Sequence, residues 1–226
     1  MNERLNLYYL GLASLFAAKK SDNRSMLVAV HAEPCKNDKG AYIVGTDGHR
    51  LVVYHDKGAY LNEPILLSTD NKEFFAFAKK KPTDPGVMVT IERVLLEVPK
   101  SVPGAVHDTA YLSLDNGSRY TVRVLDAKFP DWQRVIDPKA YASLDITNQV
   151  YMNAAFLKDL YPILPRDLRR KAYYLHACLG VPGTQGASAT LFYPDDTSEH
   201  EFFALVMPVS TRGTKPEIPS WLNKLN

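Results

Sequence analysis

The sequence predicts an α+β protein in which one unit, a helix plus about three or four antiparallel strands, occurs three times. Two observations carry that prediction. Three segments show apolar residues at helical spacing, and each is followed by runs rich in Val, Ile, Tyr and Thr. Asp115-Asn116-Gly117 between two such runs is the strongest hairpin signal in the chain, and Pro130 and Pro138 punctuate the boundary between second and third units.

The first helix starts at Asn6, whose side-chain oxygen suits an N-cap, and spans 7–20 with a stripe of Tyr8 or Tyr9, Leu12, and Leu15 or Phe16. Strands follow at 26–31, 41–44 and 51–54. The second helix opens on Asp70-Asn71-Lys72-Glu73, a capping-box spacing with Asp70 at the cap. It runs through Phe74 and Phe77 to Lys79-Lys80-Lys81 and stops at Pro82, because the residue before proline disfavours the helical region. Strands follow at 87–98, 110–114 and 120–125. The third helix starts at Asn153 and passes Phe156, Leu157, Leu160 and Leu164, interrupted by Pro162 and Pro165; strands at 172–178, 189–193 and 201–209 complete that unit.

At 226 residues the chain has room for one large domain or two ordinary ones. With 46% hydrophobic and 23% charged residues it has the composition of a globular protein. A net charge of +2 is too small to argue a general affinity for nucleic acid, so any DNA contact must come from local clusters of cations. The two cysteines, Cys35 and Cys178, have no metal or redox spacing and read as separate thiols in a reducing compartment. No apolar run reaches the roughly 20 residues of a spanning helix, and the N-terminus lacks a signal core, so a cytoplasmic location without membrane partners is expected. None of the six histidines makes an HxH or HExxH pair, and no nucleophile elbow or phosphate loop occurs. The expectation is no metal, no cofactor and no catalysis.

Each predicted helix leads into a basic cluster: Lys19 and Lys20; Lys79, Lys80 and Lys81; Arg166, Arg169, Arg170 and Lys171. Cations at helix C-termini complement the macrodipole and form solvated faces. Three clusters at equivalent places of a repeated unit would also align into a sequence-blind track for phosphates. The residues alone leave both readings open.

Three strings remain: Thr46-Asp47-Gly48-His49-Arg50-Leu51, Phe129-Pro130-Asp131-Trp132-Gln133-Arg134-Val135-Ile136, and Leu205-Val206-Met207-Pro208-Val209. Singly they read as a turn, a linker and a core strand. Together, in this order and spacing, they resemble the bacterial DNA polymerase III beta subunit, the sliding clamp, with its TDGHRL turn, FPD-aromatic-x-R-V linker and V-V-M-P strand. The likeness runs over residues 1 to 210. Residues 1–136 resemble the middle clamp domain with both of its units, 139–210 resemble half of the last domain, and 211–226 form an additional tail.

The resemblance implies a DNA-clamp fold and a non-catalytic processivity or docking factor in DNA replication. It tips the basic clusters towards duplex DNA. It also implies a hydrophobic cleft that captures peptides of replication or repair proteins. Carried over position by position, the cleft comprises Thr46, Gly48, His49, Arg50 and Leu51 from the first string, Pro130, Arg134 and Val135 from the linker, Leu205 and Met207 from the last strand, and Leu27. The third unit has no partner unit in the chain, which predicts either a homo-oligomer or a tail that folds back on Phe156, Leu160 and Leu164. Two other readings compete: a clamp-fold adaptor or decoy of phage or mobile-element type that does not encircle DNA, and an unrelated α+β enzyme sharing these strings by chance.

Overall fold

Asn6 ends one element and begins the next. It closes strand β1 (Glu3–Asn6), and its Oδ1 accepts the backbone N–H groups of Tyr8 and Tyr9 at 2.9 and 3.1 Å, which caps helix α1 (Leu7–Ala13). In the computed structural model the described residues are 2–19, 22–80, 86–94, 109–135, 156, 158, 160–163, 175–179, 190–194 and 201–207.

After α1 come β2 (Ala29–Pro34), β3 (Ala41–Thr46), β4 (Arg50–Asp56) and β5 (Ile65–Ser68), then α2 (Lys72–Lys79). β6 (Met88–Val94), β7 (Thr109–Ser113) and β8 (Arg119–Arg123) follow. A helical turn α3 (Leu160–Ile163) precedes β9 (Leu175–Leu179), β10 (Thr190–Pro194) and β11 (Glu201–Val206). The strands form two antiparallel sheets, one in the order β1-β6-β7-β8 and one in the order β5-β2-β3-β4-β11-β10-β9.

Alternation along the strands of the larger sheet sorts side chains onto two faces. Val52 and Tyr54 of β4, with Phe202, Ala204 and Val206 of β11, face the main core with α1 and α2. Leu51, Val53 and Leu205 face the other side, where Phe129 and Trp132 pack on them. α1 is buried on every face. Tyr9 stacks on Tyr54 with ring centroids 4.8 Å apart, and Gly11 lets α2 approach so closely that a Cβ there would lie 2.5 Å from the Ala78 carbonyl carbon.

Several sequence expectations are corrected. α1 ends at Ala13 rather than residue 20: Ser14 caps it, and Ala18 N–H instead bonds the Leu27 carbonyl at 2.7 Å. Lys19 therefore lies beyond the helix, not in its last turn. The cap of α2 is Asn71, whose Oδ1 accepts Phe74 N–H at 2.9 Å, while Asp70 pairs with Arg123. The predicted strand at 26–31 begins as a 3-10 turn at Ser25–Leu27, and β1 and β5 were not expected.

The last three strands extend the larger sheet of the same chain. β11 pairs with β4 from Glu201↔His55 to Val206↔Arg50, and Leu160 is buried against the main core with Phe156 packed beside it. The expected exposure of the apolar flank thus fails at Leu160, and Phe156 is half-buried; β9 remains an edge of the sheet among the described residues, and Leu164 and the tail 211–226 lie outside them. No described helix is long and apolar enough to cross a membrane.

Candidate partner-binding cleft

The β3–β4 connection is the frame of the site. Thr46 Oγ1 donates to the Arg50 carbonyl at 2.7 Å and accepts the Gly48 N–H at 3.0 Å. Asp47 Oδ1 accepts the N–H groups of His49 and Arg50 at 2.9 and 3.0 Å. Gly48 has φ +87°, a left-handed conformation that L side chains rarely adopt. Thr46, Asp47 and Gly48 thus each have a local reason for their identity, while His49 lends the turn only its backbone N–H.

Arg50 anchors the turn from outside. Its Nε donates to Asp47 Oδ2 at 2.9 Å, its Nη2 to the Leu15 carbonyl at 3.1 Å, and its guanidinium lies 4.8 Å from the Phe16 ring centroid and 5.4 Å from that of Phe156. The His49 ring stacks on Phe156 at 6.2 Å. Across the turn, Arg24 binds Asp22 through its backbone and guanidinium and reaches the Asp47 carbonyl at 3.1 Å. The hydrogen bond from the Arg24 guanidinium holds the Asp22 carboxyl down to about 2.

The last strand is stitched to this frame. Leu205 pairs with Leu51 and Val206 with Arg50, and the Met207 N–H donates to the His49 carbonyl at 2.8 Å. The linker closes the remaining side. Phe129 is buried and stacks on His31 at 4.6 Å, and Trp132 donates its Nε1–H to Glu33 Oε1 at 3.0 Å while meeting Tyr42 edge-on at 5.4 Å. Strand, turn and linker leave a pocket of about 390 Å³ walled by Leu27, Thr46, Gly48, His49, Arg50, Leu51, Pro130, Leu205 and Met207. Leu27, Leu51 and Leu205 form a buried floor, and Met207 stands exposed at the mouth.

Nine of the eleven expected cleft residues therefore converge. Arg134 does not. It sits in the 3-10 turn Trp132–Val135, pairs with Asp131 at 2.7 Å, and points into solvent with 83% of its side chain exposed. Val135 belongs to the same turn, and its side chain lies outside the described residues. Four further walls, Arg24, Met26, Asp131 and Trp132, were not anticipated, although Trp132 is the aromatic of the linker string itself.

Of the predicted cationic track, Lys19, Lys79 and Lys80 are exposed. Partial desolvation lowers the Lys79 ammonium below the ordinary lysine value. Lys20, Lys81, Arg166, Arg169, Arg170 and Lys171 lie outside the described residues. Among the described residues no group of His, Cys, Asp and Glu is arranged to hold a metal.

Two sheets flanking paired helices, with a third helical segment and its strands continuing the larger sheet, make this a DNA-clamp fold. Solved structures of bacterial DNA polymerase III beta sliding clamps share it. The clamp of Pseudomonas aeruginosa with ligand superposes with a TM-score of 0.60 at 16% identity, covering 93% of this chain and 66% of that one. The beta subunit of Thermotoga maritima gives 0.60 at 17% identity, covering 92% and 65%. The Bartonella birtlesii clamp bound to griselimycin gives 0.61 at 17%, covering 92% and 66%. The chain thus spans slightly less than two thirds of the length of these clamps. No family model matches the sequence, and no curated protein sequence matches it.

Proposed function

We propose that this protein is a non-catalytic clamp-fold docking factor of DNA replication, working in the cytoplasm and holding short linear peptides of replication or repair proteins in the cleft. The observation that carries this reading is the convergence of four chain segments, 24–27, 46–51, 130–132 and 205–207, on one apolar pocket framed by the hydrogen-bonded β3–β4 turn. Leu and Met walls suit aliphatic or aromatic anchors, and Met207 adapts to varied partners. Arg24 and His49, exposed at the rim, can bond peptide carbonyls or acidic groups, while Arg50 holds the turn. On this reading residues 1–136 act as a two-unit clamp domain and 139–210 as an added unit.

A peptide with two or three apolar anchors should bind at roughly micromolar Kd, a value suited to a small groove. The Leu51→Ala/Met207→Ala double variant should weaken it by about 2–3 kcal/mol, read by fluorescence anisotropy. Unchanged affinity in a folded double variant would remove the cleft assignment.

The adaptor reading is favoured by one specific observation, the complete burial of α1, which leaves that helix no face for DNA. Contact with duplex would then fall to the exposed end of α2. If the protein rides on DNA, binding to linear duplex should be weak and salt-dependent. Replacing Lys79, Lys80 and Lys81 with Glu should then lower the log–log salt slope by roughly one unit per lysine. A salt slope equal to wild type, together with a monomer in sedimentation, would favour the adaptor that does not encircle DNA.

A further inference from the structure

The linker that walls the cleft has a second side. Pro130, Asp131 and Trp132 line the 390 Å³ pocket and also a larger, more polar basin of about 710 Å³, so the two hollows adjoin along one ridge. The ridge is held from below, since Phe129 and Trp132 are both buried and Glu33 accepts Trp132 Nε1–H at 3.0 Å. The basin carries Lys36, Lys128 and Arg134 against Glu33 and Asp131. Both carboxylates are engaged: Asp131 by Arg134 at 2.7 Å, and Glu33 by Trp132 and by His31 at 3.3 Å. That His31 hydrogen bond is the first cause of the lowered Glu33 pKa. Lys36 and Lys128 are exposed and form no ion pair within 4 Å among the described residues, although the Lys36 charge acts on Glu33 across the basin.

We propose that the peptide held in the cleft continues over the Pro130–Asp131 ridge into this basin, and that its flank there is acidic, read by Lys36 and Lys128. The inference rests on the cleft reading and adds the partner's chemistry to it. Continuity comes from the three shared wall residues, and sign selection from the two exposed ammonium groups. Such solvent-exposed charges act at modest strength and are screened by salt.

The test uses the full chain and three labelled peptides with the same apolar anchors: one bare, one carrying three Glu on a flank, and one carrying three Ser there, with the flank tried at each end. At low salt the acidic flank at one end should tighten binding roughly three- to tenfold over the serine flank. The advantage should vanish near 1 M salt, where the Debye length is about 3 Å. Lys36→Glu/Lys128→Glu should abolish it while leaving the Kd of the bare peptide unchanged. Equal affinity of acidic and serine flanks at both ends, or an acidic advantage that survives the double variant, overturns the inference while the cleft reading stands. Failure of the bare peptide to bind overturns both. A short duplex that displaces the acidic flank but not the bare peptide would assign the basin to nucleic acid and overturn the peptide inference.

Discussion

Alanine at Gly45 is expected to destabilise the protein by about 3 kcal/mol, the upper range for forcing atoms into a packed interior. A Cβ there would lie 2.0 Å from the Ala13 carbonyl oxygen and 2.8 Å from its carbon, both backbone atoms at the end of α1. No rotamer change relieves such a clash, so β3 and α1 must separate. Gly45 pairs with Val52 and the next residue, Thr46, pairs with Leu51, so the displacement reaches the cleft directly. Gly117→Ala is the control. Its φ of +84° makes alanine strained, yet no atom would approach the new Cβ within 4 Å, so a loss of about 1–2 kcal/mol is expected. Urea denaturation followed by circular dichroism compares the two. Equal losses would mean that the close approach of α1 to β3 does not hold in solution.

Gly45 also shows where the sequence stops being readable. The glycine sits in an ordinary β-rich run, and its partner, Ala13, is thirty-odd residues away in a helix. The hairpin at Asp115-Asn116-Gly117 was legible because its physics is local: Gly117 takes positive φ, and Leu114 and Ser118 close the turn. The cap at Asn6 was legible for the same reason. By contrast α1 was read seven residues too long, because its end is fixed by Ser14 bonding back to Gly11 and by Ala18 pairing with Leu27. β1 went unseen because Glu-Arg-Leu-Asn has no strand character of its own and is made a strand by β6, more than eighty residues on.

The candidate site divides in the same way. The turn after Thr46 was legible as a turn, since its bonds close within five positions, while the cleft assignment of Thr46 to Leu51 came from the resemblance. Arg134 was expected in the cleft because the linker string contains it, but its i,i+3 pairing with Asp131 turns it outward. Arg24 was not expected. Its place depends on Asp22 beside it and on the Asp47 carbonyl from another strand connection, a coincidence of folding and not of spacing.

Arg50 is where local and distant structure meet, and its removal should have the second large effect. Arg50→Ala is expected to cost about 2–4 kcal/mol, because hydrogen bonds to charged groups contribute about 1.5–3 kcal/mol and this side chain is only 11% exposed. The loss has three parts. Asp47 Oδ2 loses its guanidinium partner, the Leu15 carbonyl loses a donor, and the Phe16 and Phe156 rings lose the cation between them. Because Phe156 lies just before α3, the variant should also loosen that segment from the turn, raising the peptide Kd beyond what a rim contact alone would. Arg50→Lys separates charge from geometry. An ammonium keeps the charge but not the planar fork that serves Asp47 and Leu15 at once, so lysine should recover less than half of the lost stability. Denaturation midpoints and peptide anisotropy on both variants decide the matter. Full recovery with lysine would show that net charge near Asp47 suffices, and the bridging role of the guanidinium would fall.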